Sequence, residues 1–491
     1  MTGLFPTRMT CGGVSFGTQY RFHQRSQLKC ADQRFVKSSR YASLRYSGNM
    51  NRQRMIKSKR PLCFDVTHAI ARIGHHAPTG IDKVDLAFVR HYAANAAAAP
   101  VYCQKSTPRI FRVERFREIF EASIRTRWEN HGLATDSAYA EVVRRLLGDG
   151  PPTRGIDEAQ KAVSLNGAVQ HWWRKRRLYR GGAKRVPTGA IYLNVAQHRL
   201  EHPELFAWLR QRDDVRPVFM IHDLLPLDMP ETFPSSEPQL FTRRIATALE
   251  HGKAFITTTN AVRNRLVVEL ERRGLRAPPI HVQPLPSMLS SPDGAILSAS
   301  IDLELTAVPY YIVIGTIEPR KNHQLLLQIW RAFAEQKESV PKLLIVGARG
   351  WGCEQVREIL DRSPLLAPHV IETSRLSIPG LARLIANARA VLVPSLDEGY
   401  GLPLVEALTL NTPVIATDKP VFREVTQGCA TYINNIDGVS WRDAVRDFAA
   451  TKSPHFVAAR RAAQSFRPPT WRDYFDGIDD FLASFAYAES T

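Results

Sequence analysis

Cysteine is scarce in this chain, with six among 491 residues, at positions 11, 30, 63, 103, 353 and 429, and no two form a C-x-x-C pair. That spacing excludes a disulfide-stapled scaffold and a cysteine zinc ribbon, and it suits a reducing cytoplasm best. A run of about 18 apolar residues is missing, which argues against an integral membrane protein. Also missing are an Asp-x-Asp after a strand, an EF-hand-like loop and a His/carboxylate ligand spacing, so no metal-ligand motif stands out. There is no internal repeat of solenoid period. What remains is an ordinary globular balance of 44% hydrophobic and 23% charged residues, at a length that suits two or three domains.

The formal charge of +19 is unevenly spread. Residues 1–60 hold 13 Lys and Arg against the single acid Asp32, together with much Ser, Gln and Gly and no periodic apolar positions. This stretch reads as a disordered basic leader rather than as a folded domain, and without an apolar core segment it is not a secretory signal. An organelle transit peptide and an over-extended gene start, with Met50 or Met55 as initiator, are the alternatives.

From residue 61 onward, short apolar runs alternate with helix-length segments. Runs at 62–66, 100–103, 191–195, 217–221 and 254–258 read as one series of buried strands, and 310–314, 343–346, 370–372, 390–394 and 414–416 as a second. Continuous apolar runs separated by helices predict α/β architecture, with parallel sheets covered on both faces and two doubly wound domains. The expected boundaries are a first Rossmann-like domain at 61–285, a Pro- and Ser-rich hinge at 286–309, a second Rossmann-like domain at 310–470 and an amphipathic helix at 471–491 returning to the first domain. Thr470 and Asp473 are placed to cap that helix. Residues 114–188 break the alternation and read as a helical insertion in the first domain. Its end, 171–185, carries seven cations among Trp172, Trp173 and Tyr179. This cluster reads either as a solvated loop or as a patch for anionic lipid headgroups or phosphates.

Two motifs carry chemistry. In Pro394-Ser-Leu-Asp-Glu-Gly-Tyr-Gly-Leu-Pro-Leu-Val-Glu406, a strand ends in a glycine-bearing turn and a helix follows. Gly399 and Gly401 permit close backbone approach, Pro403 suits a first helical turn, and helix-start amides near Leu402 are donors for phosphate oxygens. Glu398 falls in the loop and Glu406 one turn into the helix, where a carboxylate can accept from a ribose or sugar diol. The second motif, Gly315-Thr-Ile-Glu-Pro-Arg320-Lys321-Asn322, follows the strand at 310–314. It supplies Arg320 as a fork and Lys321 as a point charge for a diphosphate at the same sheet edge.

The second half resembles glycosyltransferase family 4, which has the GT-B fold of two facing Rossmann-like domains. The pair of glutamates eight positions apart, Glu398 and Glu406, is the family's best-known mark. The Gly315 to Asn322 motif and Leu344-Ile-Val-Gly347 with Gly350-Trp351 are similar to bacterial mannosyl and rhamnosyl transferases that build O-antigen and other surface polysaccharides. In the first domain, Phe64-Asp-Val-Thr67 with Gly80-Ile-Asp-Lys-Val84 resembles the opening strand, loop and helix, and His222-Asp-Leu-Leu-Pro226 matches a His-Asp-x-x-Pro motif. The resemblance implies a retaining, metal-independent transfer of a hexose from a nucleotide-sugar, GDP-mannose among the candidates, to a saccharide or lipid-linked acceptor. It needs no further cofactor. Arg320, Lys321, Glu398 and His222 would act at the reacting centre, and Gly80, Gly315, Gly399, Tyr400, Gly401, Leu402 and Glu406 would bind the donor. The loop histidines His68, His75 and His76 read as solvated.

Two other readings stand beside this one. A nucleotide-sugar epimerase of the same fold would isomerise donor without any acceptor. A catalytically silent scaffold, or a nucleic-acid binder, would use the basic leader and residues 174–177, although no nucleic-acid partner is expected. The expected location is cytoplasmic, with the inner face of the membrane as the site of peripheral contact through 171–185.

Overall fold

A computed structural model describes residues 60–72, 79–103, 107–127, 136–148, 179–290, 301–336, 339–374 and 376–487. Eight strands form the first sheet: β1 (Leu62–Asp65), β2 (Ala98–Tyr102), β3 (Arg109–Phe111), β4 (Tyr179–Gly181), β5 (Ile191–Asn194), β6 (Arg216–Ile221), β7 (Ala254–Thr257) and β8 (Ile280–Val282). Their order is β4-β3-β2-β1-β5-β6-β7-β8, parallel except for β3, which runs antiparallel to both neighbours. The second sheet holds β9 (Tyr310–Ile314), β10 (Lys342–Val346), β11 (Val370–Thr373), β12 (Ala390–Val393), β13 (Val414–Thr417) and β14 (Thr431–Ile433) in the order β11-β10-β9-β12-β13-β14, all parallel. The two doubly wound parallel-sheet domains predicted from the alternating pattern are thus present.

Burial explains the strands. All four residues of each of β1, β5, β7, β12 and β13 are buried, as expected for sheets sandwiched between helices. In each sheet the chain winds outward from a central strand, then returns to its other side. The order therefore reverses between β1 and β5 in the first sheet, and between β9 and β12 in the second. Loops leaving the carboxyl ends of such a pair diverge and leave a crevice, where open α/β sheets bind ligands.

Three boundaries differ from expectation. The stretch 114–188 is not wholly helical: β4 pairs with β3 and extends the sheet edge. A three-residue strand with a central arginine carries no periodic signal, and its pairing is non-local. The helix Ser137–Leu146 from the same stretch seats on the second domain. Its cap Asp136 accepts from Tyr139 N (2.9 Å) and from Ser377 N (2.7 Å), and Arg145 reaches the Val370 carbonyl at 3.4 Å. The proline-rich hinge begins inside the core, because Leu285, Ser287, Leu289 and Leu305 are all buried. Of the basic cluster, 171–178 lies outside the described residues, while Lys184 and Arg185 are exposed in a short turn. The leader (1–59) and His75 and His76 are also outside the described residues. No described helix is long and apolar enough to cross a membrane.

The helix Trp471–Tyr487 packs on the first domain. Thr470 and Asp473 cap its start reciprocally, with Asp473 N donating to Thr470 Oγ1 (3.1 Å) and Thr470 Oγ1 to the Asp473 carboxylate (2.7 Å). Its inner face sets Tyr474 and Phe475 edge-on to Phe88, and Tyr92 donates to Asp479 at 2.9 Å. The Tyr474 hydroxyl is fully buried without a hydrogen-bond partner. Tyr474→Phe should therefore be neutral or stabilise by about 1 kcal/mol, whereas Tyr474→Ala should cost about 3–5 kcal/mol. Paired denaturant melts check both, and a large loss in the Phe variant would show that the hydroxyl does have a partner.

Candidate active site

The loops leaving β9 and β12 meet at the reversal point of the second sheet, because these strands are neighbours and pair Tyr311 with Ala390 and Ile312 with Val391. Two hydrogen bonds, one from the backbone and one from a side chain, tie these loops together. Leu396 N donates to the Arg320 carbonyl at 2.7 Å, and Asn322 Nδ2, from a residue in the left-handed region (φ 53°), donates to the Pro394 carbonyl at 3.3 Å.

This brings Arg320, Lys321 and Glu398 into one cluster. Arg320 Nη1 donates to Glu398 Oε2 at 2.7 Å, Lys321 Nζ donates to Glu398 Oε1, and Arg320 Nη2 lies 2.7 Å from Glu318 Oε1. Both glutamates are buried. Burial would raise the Glu398 carboxyl, but Lys321 and Arg320 outweigh it and hold the group at about 2. Glu318 has the weaker share of these cations, and burial pushes its carboxyl up. Gly315 lies under the Lys321 stem. Glu318 is a site residue beyond those expected from the sequence; an acid two residues before the Arg-Lys pair is the signal that points to it.

Gly399 marks where the two domains touch. A Cβ there would lie 2.2 Å from the His222 carbonyl oxygen and 2.7 Å from Asp223 Cβ, so only glycine fits. Thr258 and Thr259 hydroxyls, just past β7, donate to the Gly399 carbonyl at 3.2 and 3.4 Å. Gly401 takes φ 93°, a glycine conformation, and starts the helix Leu402–Thr409. Tyr400, expected at the donor, instead sends its hydroxyl 2.6 Å to the Leu285 carbonyl and anchors the start of the linker. Two further carboxylates join the domains. Asp397 pairs with Arg265, and Glu424 accepts from Asn260 N at 2.7 Å and Ala261 N at 3.2 Å, capping the helix Asn260–Arg272 across the boundary.

His222 follows β6 and presents its backbone, not its ring, to the loop of Gly399. Its Nε2 donates to the Val195 carbonyl at 2.6 Å, which leaves Nδ1 as the acceptor nitrogen. Burial lowers its pKa, so the ring is neutral near pH 7. Gly80 opens the helix Gly80–Ala93, which faces Leu402: a Cβ at Gly80 would be 3.1 Å from Leu402 Cδ1. One turn into each helix, Lys83 Nζ lies 3.5 Å from Glu406 Oε1. His68, expected to be solvated, instead bonds Asp82 at 2.7 Å together with Arg72.

The site residues therefore fall into two adjoining groups. One is the buried cluster of Arg320, Lys321, Glu318 and Glu398. The other is the pair of facing helix starts that holds Gly80, Leu402, Lys83 and Glu406. Cationic groups and helix-start amides at this edge can take phosphate oxygens, and Glu406 can accept from a diol.

Residues 303–430 match the family model of glycosyl transferases group 1. The serotype-specific mannosyltransferase WbdA of Escherichia coli is 31% identical over 245 residues, 47% of this chain and 29% of that protein. The O-antigen chain mannosyltransferase RfbU of Salmonella typhimurium is 30% identical over 138 residues, 28% of this chain and 38% of that one. The chain thus spans under two-fifths of the length of either relative. Among solved structures, sucrose-phosphate synthase from Thermosynechococcus elongatus superposes with a TM-score of 0.47 at 18% identity, covering 61% of this chain and 74% of that one.

The cluster makes a pH prediction. The folded Glu398 carboxyl titrates at about 2, below its ordinary 4.5. Its stabilising contribution is therefore complete above pH 4.5 and fades as pH falls toward 2. The gap in unfolding free energy between the wild-type chain and Glu398→Gln should be constant above pH 5, on the order of 3 kcal/mol for a broken buried pair, and should shrink below pH 4.5. Denaturant melts across that range check it, and a gap independent of pH down to 3 would contradict it.

Proposed function

Taking the glycosyl transferases group 1 match of residues 303–430 as premise, we propose that the chain is a glycosyltransferase. In this reading it moves a hexose from a nucleotide-sugar to a saccharide or lipid-linked acceptor in surface-polysaccharide synthesis, with GDP-mannose the first donor to test. The observation that carries the reading is the buried junction of Arg320, Lys321 and Glu398, set at the reversal point of the matched sheet and covered by the His222 loop of the other domain. The names of the mannosyltransferases of E. coli and S. typhimurium support the sugar and the polysaccharide setting.

In the proposed mechanism the nucleotide ribose donates its two hydroxyls to Glu406, and the diphosphate lies at the start of the helix Leu402–Thr409. Arg320 and Lys321 then follow the leaving phosphate as its charge grows. Such contacts lower the barrier because they strengthen in the transition state. Glu398 keeps both cations in place and reaches toward the sugar. Retention of configuration and independence from metal belong to the proposal: the leaving phosphate itself would receive the acceptor proton on the face from which it departs.

Arg320→Ala or Lys321→Ala should lower kcat/KM for transfer from a nucleotide-sugar by about 100-fold, the scale of one lost preorganised donor. Glu406→Gln should weaken the bare nucleoside diphosphate, while Glu398→Gln should mainly slow transfer. Steady-state assays with GDP-mannose and a saccharide acceptor, with calorimetry beside them, separate the roles. Near-normal turnover in both cation variants would remove this assignment. The anomeric configuration of the product, read by NMR, tests retention, and full activity in excess chelator tests metal independence.

A further inference from the structure

We propose that Lys83 is a donor-binding residue contributed by the first domain, and that its ammonium passes from Glu406 to the diphosphate when the donor's ribose occupies that carboxylate. This deepens the nucleotide-sugar reading of the cleft and rests on it.

The starting point is charge. Arg320 and Lys321 are already matched by Glu318 and Glu398, and Arg265 is matched by Asp397 with Asp228 at 3.4 Å. A diphosphate entering this cleft would therefore find its neighbouring cations neutralised, with the buried Glu406 adding repulsion. Lys83 is the cation paired with Glu406, and the contact is loose at 3.5 Å, against 2.7 Å for Arg320 on Glu398. Ribose hydroxyls that donate to Glu406 compete for the lone pairs that now face Lys83.

The geometry gives Lys83 somewhere to go. It stands three residues past Gly80 on a helix whose start is fixed firmly. Thr79 and Asp82 form a reciprocal cap there, with Thr79 N to Asp82 Oδ2 at 2.7 Å. Arg72 grips the same carboxylate at 2.8 Å. The backbone at Lys83 therefore stays in place while its four-carbon stem turns. Gly80 sits against Leu402, so the first turns of the two helices lie face to face. From Glu406 to the helix-start amides near Leu402 is one helical turn, about 5.4 Å, within the swing of a lysine side chain. Moving the ammonium that distance replaces a direct bond between the domains with one bridged by the donor.

Calorimetry on the full chain tests this with ADP, GDP, UDP and dTDP and with the four corresponding nucleosides, for wild type, Lys83→Met, Lys83→Arg, Glu406→Gln and the Lys83→Met/Glu406→Gln pair. Lys83→Met should weaken the preferred diphosphate at least ten-fold at low salt without weakening the matching nucleoside, measured by competition, and Lys83→Arg should recover most of the loss. The Met substitution should still weaken the diphosphate in the Glu406→Gln background, because its partner there is the phosphate. Diphosphate affinity within two-fold of wild type in Lys83→Met would overturn the proposal. So would equal weakening of nucleoside and diphosphate, or no effect in the Glu406→Gln background, either of which would make Lys83 only a prop for Glu406. A wild-type chain that binds none of the four diphosphates would overturn the nucleotide-site reading itself, and Lys83 with it.

Discussion

The close approach at Gly399 sets the distance between the domains, and most of the site depends on that distance. With the His222 carbonyl occupying the space a side chain would need, the loop after β12 can press against the end of β6. Only then do Thr258 and Thr259 reach the Gly399 carbonyl, Glu424 cap the helix at Asn260, and Lys83 meet Glu406. These contacts are individually modest, but all are satisfied in one arrangement and would be lost together if the gap widened. A larger residue at this position would act on every one of them without touching a reacting atom.

Within that frame, the electrostatics are those of a nearly balanced buried cluster. Glu398 is kept ionised despite burial by two cations, whereas at Glu318 burial outweighs the weaker pull of Arg320 and Lys321 and pushes the carboxyl up. Such a cluster costs desolvation energy and is a weak contributor to stability compared with an apolar replacement. What it supplies is a fixed orientation for Arg320 and Lys321, whose long side chains would otherwise lose freedom on meeting a ligand. The cations are held in advance of binding.

The fold was largely legible because parallel strands buried on both faces leave continuous apolar runs, as in Tyr310–Ile314 and Ala254–Thr257. Four short strands at or next to the sheet edges were not legible. Arg109–Phe111, Tyr179–Gly181, Ile280–Val282 and Thr431–Ile433 are three residues long and leave no pattern of their own. At the site, spacing located Glu398 and Glu406, and the loop after β9 located Arg320 and Lys321. Spacing could not show that Glu398 binds both cations, that Tyr400 turns toward the linker, or that Lys83 crosses the cleft. Each of these depends on a partner more than 70 residues away in sequence.

The return of the helix Trp471–Tyr487 to the first domain bears on how the chain is made. Phe88 and Tyr92 leave the ribosome well before the residues that cover them, Tyr474, Phe475 and Asp479. At ordinary translation rates that interval is roughly 20 to 80 s. Throughout it the first domain exposes an apolar groove while the second domain, contiguous in sequence, can fold to completion. Nascent chains should thus need shielding at that groove until the terminal helix arrives.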